Sequence, residues 1–175
     1  MTTRRDFLKT MTMASAGLAL GTGDLLGAPI SVSQRKAAAD KVKIAYVGIG
    51  NRGEQIIGDF ARTGMVEVVA LCDVDMGAPH TQKVMNMYPK AKRFRDFRQM
   101  FDKAGNDFDA VAIATPDHSH FPITMLALAS GKHVYVEKPL ARTFYEAELL
   151  MQAALKRPNL VTQVGNQGHS EANYF

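Results

Sequence analysis

The sequence predicts a doubly wound α/β domain built on a parallel sheet. Three observations carry this: short unbroken apolar runs, segments of helix-like apolar spacing between them, and a regular alternation of the two from residue 42 to residue 164. Strands covered on both faces read as unbroken apolar runs, because neither side of the pleat meets water. Val42 to Val47 is the first such run and ends in glycines, and Met65 to Cys72 repeats it. Asp109 to Ala114 and His133 to Val136 follow the same style, with shorter strands at Lys92 to Phe94 and Leu160 to Val164. The intervening segments Glu54 to Arg62, Pro79 to Tyr88, Asp96 to Lys103, Pro122 to Ser130 and Phe144 to Lys156 carry the apolar spacing of a helix face. Right-handed crossovers follow from the general rule for parallel strands.

With 175 residues, 46% of them apolar, the chain can bury one core of ordinary domain size. The net charge of +4 is unevenly divided: residues 1–39 hold five Lys/Arg and two Asp/Glu, residues 40–175 sixteen and fifteen. The body is therefore close to neutral, which removes support for a nucleic-acid or membrane-surface role. Cys72 is the single cysteine, so the chain offers neither an internal disulfide nor a cysteine-based zinc site, and its apolar neighbours place it buried in a strand. The ten methionines are scattered and read as core filler rather than a binding stripe.

Residues 1–39 read as an address placed ahead of the domain. Arg4 and Arg5 stand side by side before Phe7, Leu8 and Lys9, and Met11 to Leu20 form a weakly hydrophobic stretch, an order that resembles a twin-arginine signal peptide. Gly17, Gly21, Gly23 and Asp24 interrupt the stretch, which falls short of the roughly 20 predominantly apolar residues of a permanent span. Ala37, Ala38 and Ala39 offer small residues for cleavage before Asp40, with Gly27 and Ala28 as an earlier alternative. The expected location is extracytoplasmic, and a merely disordered basic N-terminus is the competing reading. The expected division is leader and linker over 1–39, the α/β domain over 40–165, and the start of a connection over 166–175.

Gly48-Ile49-Gly50-Asn51-Arg52-Gly53 directly follows the first strand and opens the first helix, which is G-x-G-x-x-G in the setting that gives the pattern meaning. Gly48 permits the tight turn, Gly50 leaves no side chain where a pyrophosphate approaches the backbone, and Gly53 lets helix and strand pack closely. The turn through Asn51 and Arg52 leads into a helix N-terminus whose unpaired N–H groups and positive dipole end face the phosphates. Twenty residues past Gly53, Asp73 ends the second strand, where a carboxylate accepts hydrogen bonds from the adenosine ribose hydroxyls. That carboxylate, with Asp75 close by, would repel a 2′-phosphate, so NAD is expected over NADP. Arg52 argues the other way, because a guanidinium in this turn could pair with a phosphate.

Thr115-Pro116-Asp117-His118-Ser119-His120 follows the fourth strand and Glu137-Lys138-Pro139 the fifth, both at the carboxyl ends where open α/β sheets bind ligands. Read through to Ala141, this segment resembles the Gfo/Idh/MocA oxidoreductases, the family of glucose-fructose oxidoreductase and inositol dehydrogenase, and the resemblance extends over about residues 42 to 170. It implies a Rossmann domain with Lys138 beside the nicotinamide and the substrate, orienting the reacting hydroxyl and stabilising charge. An ammonium so placed lowers the cost of forming an alkoxide. Glu137 would help hold the nicotinamide ribose, Pro139 would fix the turn, and Thr115, Pro116, His118 and His120 would form the nicotinamide-side loop. Asn166, Gln167 and His169 resemble the segment that crosses toward the substrate domain and would contact substrate. The spacing of His118 and His120 could ligate a metal, yet without acidic or sulfur ligands close by no metal site is expected. His80 and His133 fall in no motif.

The resemblance also implies a second α/β domain that supplies an Asp-x-x-x-His pair for proton transfer, and no such domain lies within these residues. The chain is therefore expected to be the cofactor-binding part of a longer protein, inactive alone and monomeric if association runs through the second domain. Three functions stay open. One is an NAD-dependent oxidoreductase acting on a sugar, cyclitol or polyol, which the Glu137-Lys138-Pro139 segment favours. The second is a glycosidase that oxidises and re-reduces a sugar with NAD, and the third a non-catalytic nucleotide-binding module.

Overall fold

Strands and helices alternate without exception in the computed structural model, which describes residues 41–166 and 168. The order is β1 (Val42–Val47), α1 (Arg52–Arg62), β2 (Val66–Cys72), α2 (Pro79–Met87), β3 (Lys92–Phe94), α3 (Phe97–Ala104), β4 (Ala110–Ile113), α4 (His120–Ala129), β5 (His133–Glu137), α5 (Phe144–Leu155) and β6 (Thr162–Gly165). Short 3₁₀ turns at Gly105–Asp107 and Asp117–Ser119 precede β4 and α4. All strand pairs are parallel, in the spatial order β3-β2-β1-β4-β5-β6. The chain thus winds outward from β1 to one edge, then crosses back and winds to the other. The crevice outside the carboxyl ends of β1 and β4 is the switch point where such sheets bind ligands.

The unbroken apolar runs are explained by burial on both faces. Along β1, Ile44 and Tyr46 pack with Ile56, Ile57, Leu71 and Val84, while Ala45 and Val47 pack with Met100, Val111, Ile123 and Leu128. Adjacent residues of a strand point to opposite faces, so one short run feeds two cores. Removing this apolar surface from water contributes about 25 cal/mol per Å². The register aligns the strand ends: Val47 lies opposite Cys72 on one side and Ile113 on the other, and Ile113 lies opposite Val136. The residues that follow these four positions are those that build the site.

Boundaries differ from the sequence expectation in ways that matter locally. Helix α1 begins at Arg52, because the glycine turn feeds directly into it. Helix α4 begins at His120, before Pro122, which the first turn tolerates because its N–H groups have no intrahelical partner. The Leu160 N–H donates to the Arg157 carbonyl at 2.9 Å, closing a turn, so β6 starts later, at Thr162. Glu137 is the last residue of β5 rather than the first of the loop. Among the described residues no helix is long and apolar enough to cross a membrane. The leader, Gln167 and His169 lie outside the described residues.

Candidate functional site

The glycine turn is locked by close approach. Gly48 has φ +80°, and a Cβ there would stand 2.6 Å from the Ala114 carbonyl oxygen, while a Cβ on Gly53 would stand 2.0 Å from the Gly48 carbonyl oxygen. The first glycine therefore lets the chain turn against the end of β4, and the third lets α1 sit on that turn. Asn51 takes φ 47° and makes no side-chain cap, and within the turn the Gly53 N–H donates to the Gly50 carbonyl at 2.8 Å. Asp73 ties the turn to β2: its Oδ2 accepts from the Ile49 N–H and its Oδ1 from the Asp75 N–H, each at 2.9 Å. A carboxylate oxygen can accept more than one hydrogen bond, so these contacts fix Asp73 without exhausting it.

These pieces surround an open groove of about 750 Å³ outside the ends of β1, β2 and β4. Gly48, Gly50, Asn51, Arg52, Asp73, Thr115, Pro116 and His118 all line it, as do Cys72 and Asp75. The Thr115 Oγ1 is buried and has no hydrogen-bond partner among the described residues, an orphaned donor and acceptor at the wall of a polar groove. Burial, followed by the charges of Asp73 and Asp96, pushes the Cys72 thiol up to about 12, so this thiol stays protonated and inert at neutral pH.

Lys138 stands at the end of β5, exposed and outside the lining of that groove, between two neighbours that are each pinned. The Glu137 side chain is 5% exposed. Its Oε1 accepts from Arg52 Nε at 3.1 Å, from Arg52 Nη2 at 3.0 Å and from the Tyr135 hydroxyl at 3.0 Å. Gly165 on β6 leaves room for this cluster, since a Cβ there would stand 2.4 Å from the Tyr135 hydroxyl oxygen. Burial first, and then the hydrogen bond to Glu137, holds the Tyr135 phenol above its ordinary range. On the other side, the Pro139 carbonyl lies 2.7 Å from His120 Nδ1, and the Lys138–Pro139 peptide is cis. Among the described residues Lys138 has no acidic partner within ion-pair distance.

The structure changes what several sequence-predicted residues do. The Arg52 guanidinium is taken up by Glu137 and by Gln55 Oε1 at 3.0 Å, rather than left free for a phosphate. His120 is 1% exposed and does not line the groove. Its Nε2 lies 2.8 Å from the Thr115 carbonyl and its Nδ1 faces Pro139, so the ring joins the loops after β4 and β5. His118, exposed in the groove, and His120 therefore do not converge on a common point. Asn166 lies exposed just past β6. Sequence motifs missed His80, which lines the groove from the start of α2.

Comparison with known proteins agrees with this geometry. Residues 42–165 match the family model described as an oxidoreductase family with an NAD-binding Rossmann fold. A glycosyl hydrolase family 109 protein of Shewanella pealeana is 31% identical over 167 residues, spanning 86% of this chain and 36% of the relative. An alpha-N-acetylgalactosaminidase of Shewanella oneidensis is 29% identical with the same coverage of both. The scyllo-inositol dehydrogenase of Lactobacillus casei, solved with NAD(H) and scyllo-inositol, superposes with a TM-score of 0.67 at 28% identity, over 77% of this chain and 39% of that one. The chain thus spans little more than a third of the length of the curated relatives it matches. With that family model running from β1 to the end of β6, and the glycine turn, the Asp73 strand end and the Glu137-Lys138-Pro139 segment in place, the chain belongs to the Gfo/Idh/MocA oxidoreductase family through its NAD-binding Rossmann domain.

Proposed function

We propose that the groove holds NAD, with Asp73 at the adenosine ribose and Lys138 at the nicotinamide end, and that the whole protein oxidises a ring hydroxyl of a sugar, cyclitol or related polyol. The observation that carries this is the continuous groove from Asp73 past the start of α1, which has no side-chain cap, to the orphaned Thr115 hydroxyl. The glycine turn leaves a bare backbone for a pyrophosphate, and the α1 N–H groups supply donors and a positive dipole end. Asp73 accepts the ribose hydroxyls, and the negative charge of Asp73 and Asp75, with Arg52 engaged elsewhere, favours NAD over NADP. Bound NAD supplies a hydride acceptor. The Lys138 ammonium holds the reacting oxygen and stabilises negative charge on it as its proton leaves, and the pinned neighbours Glu137 and Pro139 fix where that ammonium starts. The proton acceptor is assigned to an Asp-x-x-x-His pair on a second domain of the longer protein. Asn166, Gln167 and His169 contact substrate in this reading, and residues 1–39 export the folded protein with its cofactor already loaded.

The names of the Shewanella relatives favour a second reading, a glycosidase in which the sugar is oxidised and then re-reduced so that NAD ends unchanged. One assay separates the two. The full-length protein is incubated with NAD and either free cyclitols and sugars or chromogenic glycosides, and reduced nicotinamide and released aglycone are both followed. Accumulating reduced nicotinamide supports the dehydrogenase, and aglycone release without it supports the glycosidase. NAD binding with neither would leave a nucleotide-binding module and overturn both enzymes.

A further inference from the structure

One part of the groove that no motif marks is the loop from β2 into α2, and it is held from two sides. Arg95 donates from Nη1 to the Val74 carbonyl at 3.3 Å and from Nη2 to the Met76 carbonyl at 2.9 Å. The fully buried Thr81 hydroxyl accepts from the Gly77 N–H at 3.1 Å and lies 3.0 Å from the Ala78 carbonyl. A loop fixed at both ends fixes what it carries, and it carries His80, the second residue of α2. The imidazole lies directly against Gly50, for a Cβ at Gly50 would stand 2.4 Å from His80 Cδ2. The ring is otherwise open to solvent, with 42% of the side chain exposed, and its Nε2 lies 3.7 Å from Asp75 Oδ2.

Gly50 is the glycine whose missing side chain lets a pyrophosphate approach the backbone. A ligand resting on Gly50 must therefore also meet the imidazole beside it. We infer that His80 is a cofactor-contacting residue, forming the outer wall of the phosphate cradle opposite the glycine turn and donating a ring N–H to the adenosine-side phosphate. The inference rests on the reading of the groove as an NAD site, and deepens it by naming a residue that the fingerprint does not contain. G-x-G-x-x-G with an acidic strand end describes one wall of a cradle. The loop after β2 builds the other, and Asp75 faces the same ring from the loop's own side.

The test is calorimetric titration of the full chain with NAD, ADP-ribose and nicotinamide riboside, in the wild type, His80→Ala and His80→Gln, alongside ring-proton spectra of histidine-labelled wild type and His80→Ala. Losing one hydrogen bond to a charged group weakens ADP-ribose binding about tenfold in His80→Ala. His80→Gln, which keeps an N–H donor, recovers most of that loss. The ring signals absent from the His80→Ala spectrum shift in the wild type with ADP-ribose and stay in place with nicotinamide riboside, which lacks the phosphate. Wild-type affinity for ADP-ribose in His80→Ala, or unmoved His80 signals in the wild type, overturns the inference while leaving the groove as an NAD site. Failure of the wild type to bind either NAD or ADP-ribose overturns the reading of the groove, and this inference with it.

Discussion

Arg52 reaches across 85 positions of sequence to Glu137, and the pair shows how much of the site is built by residues that do not touch one another along the chain. A carboxylate 5% exposed, with one guanidinium and one phenol on the same oxygen, tolerates burial only while those donors remain. Arg52→Gln should therefore destabilise the domain by about 3 kcal/mol in urea denaturation, and Arg52→Gln with Glu137→Gln should recover part of that loss. Equal stability of Arg52→Gln and the wild type would show that the carboxylate is solvated in solution. This role was illegible in the sequence, where Arg52 reads as a turn residue within reach of a phosphate. Only the sheet order, which sets β4 beside β1 and β5 beside β4, brings the turn and the end of β5 together. The buried setting of His120 was hidden for a related reason: its motif fixes its place at the entry of α4, while the carbonyls its ring nitrogens face belong to the loops after β4 and β5.

At the scale of elements, apolar spacing located the helices, while the caps that start them come from the structure. Helix α5 opens with a reciprocal capping box, in which the Thr143 hydroxyl accepts from the Glu146 N–H at 3.2 Å and Glu146 Oε2 accepts from the Thr143 N–H at 3.2 Å. Thr143→Ala should cost about 1 kcal/mol, read as a lowered midpoint in thermal unfolding, with Thr143→Ser close to the wild type. An unchanged midpoint in the alanine variant would mean that packing of α5, rather than its cap, sets its start. Strand positions were legible because burial on both faces demands unbroken apolar runs. Strand ends were less so: Val161 belongs to the apolar run by composition, yet the turn closed by Leu160 leaves it 65% exposed.

For the whole molecule, the two cores on either side of the sheet each contain a weak acid. Tyr46 belongs to the face covered by α1 and α2, and Cys72 to the face covered by α3, α4 and α5. Burial pushes the Tyr46 phenol above its ordinary range, with Tyr88 adding to it, and the Cys72 thiol up from 9.0 to about 12. Groups whose pKa is raised by folding bind protons more tightly in the native state, so their contribution is complete below the unfolded values and is lost as pH climbs toward the folded ones. Stability to urea should accordingly be flat toward neutral pH and fall from about pH 9 to pH 12, and Cys72→Ala should flatten the early part of that fall. A wild-type curve level through that window would place the thiol in contact with solvent. The alternation of elements gave the α/β class from sequence alone, and the glycine turn with Asp73 marked one wall of the groove. The strand order, the wall built by the β2–α2 loop and the pinning of Glu137 and Pro139 on either side of Lys138 required contacts between residues that no spacing rule connects.

The placement of β4 beside β1 has a consequence for how the protein comes into being. During synthesis the glycine turn and Asp73 leave the ribosome well before Ala114 and Thr115, which close the same groove from the neighbouring strand. An early nascent chain carries the glycine turn, Asp73 and the β2–α2 loop but lacks the side of the groove formed by Ala114 and Thr115. With NAD in the proposed groove, the full lining would exist only once the fourth strand has been released, so capture of the cofactor would follow insertion of that strand rather than guide it.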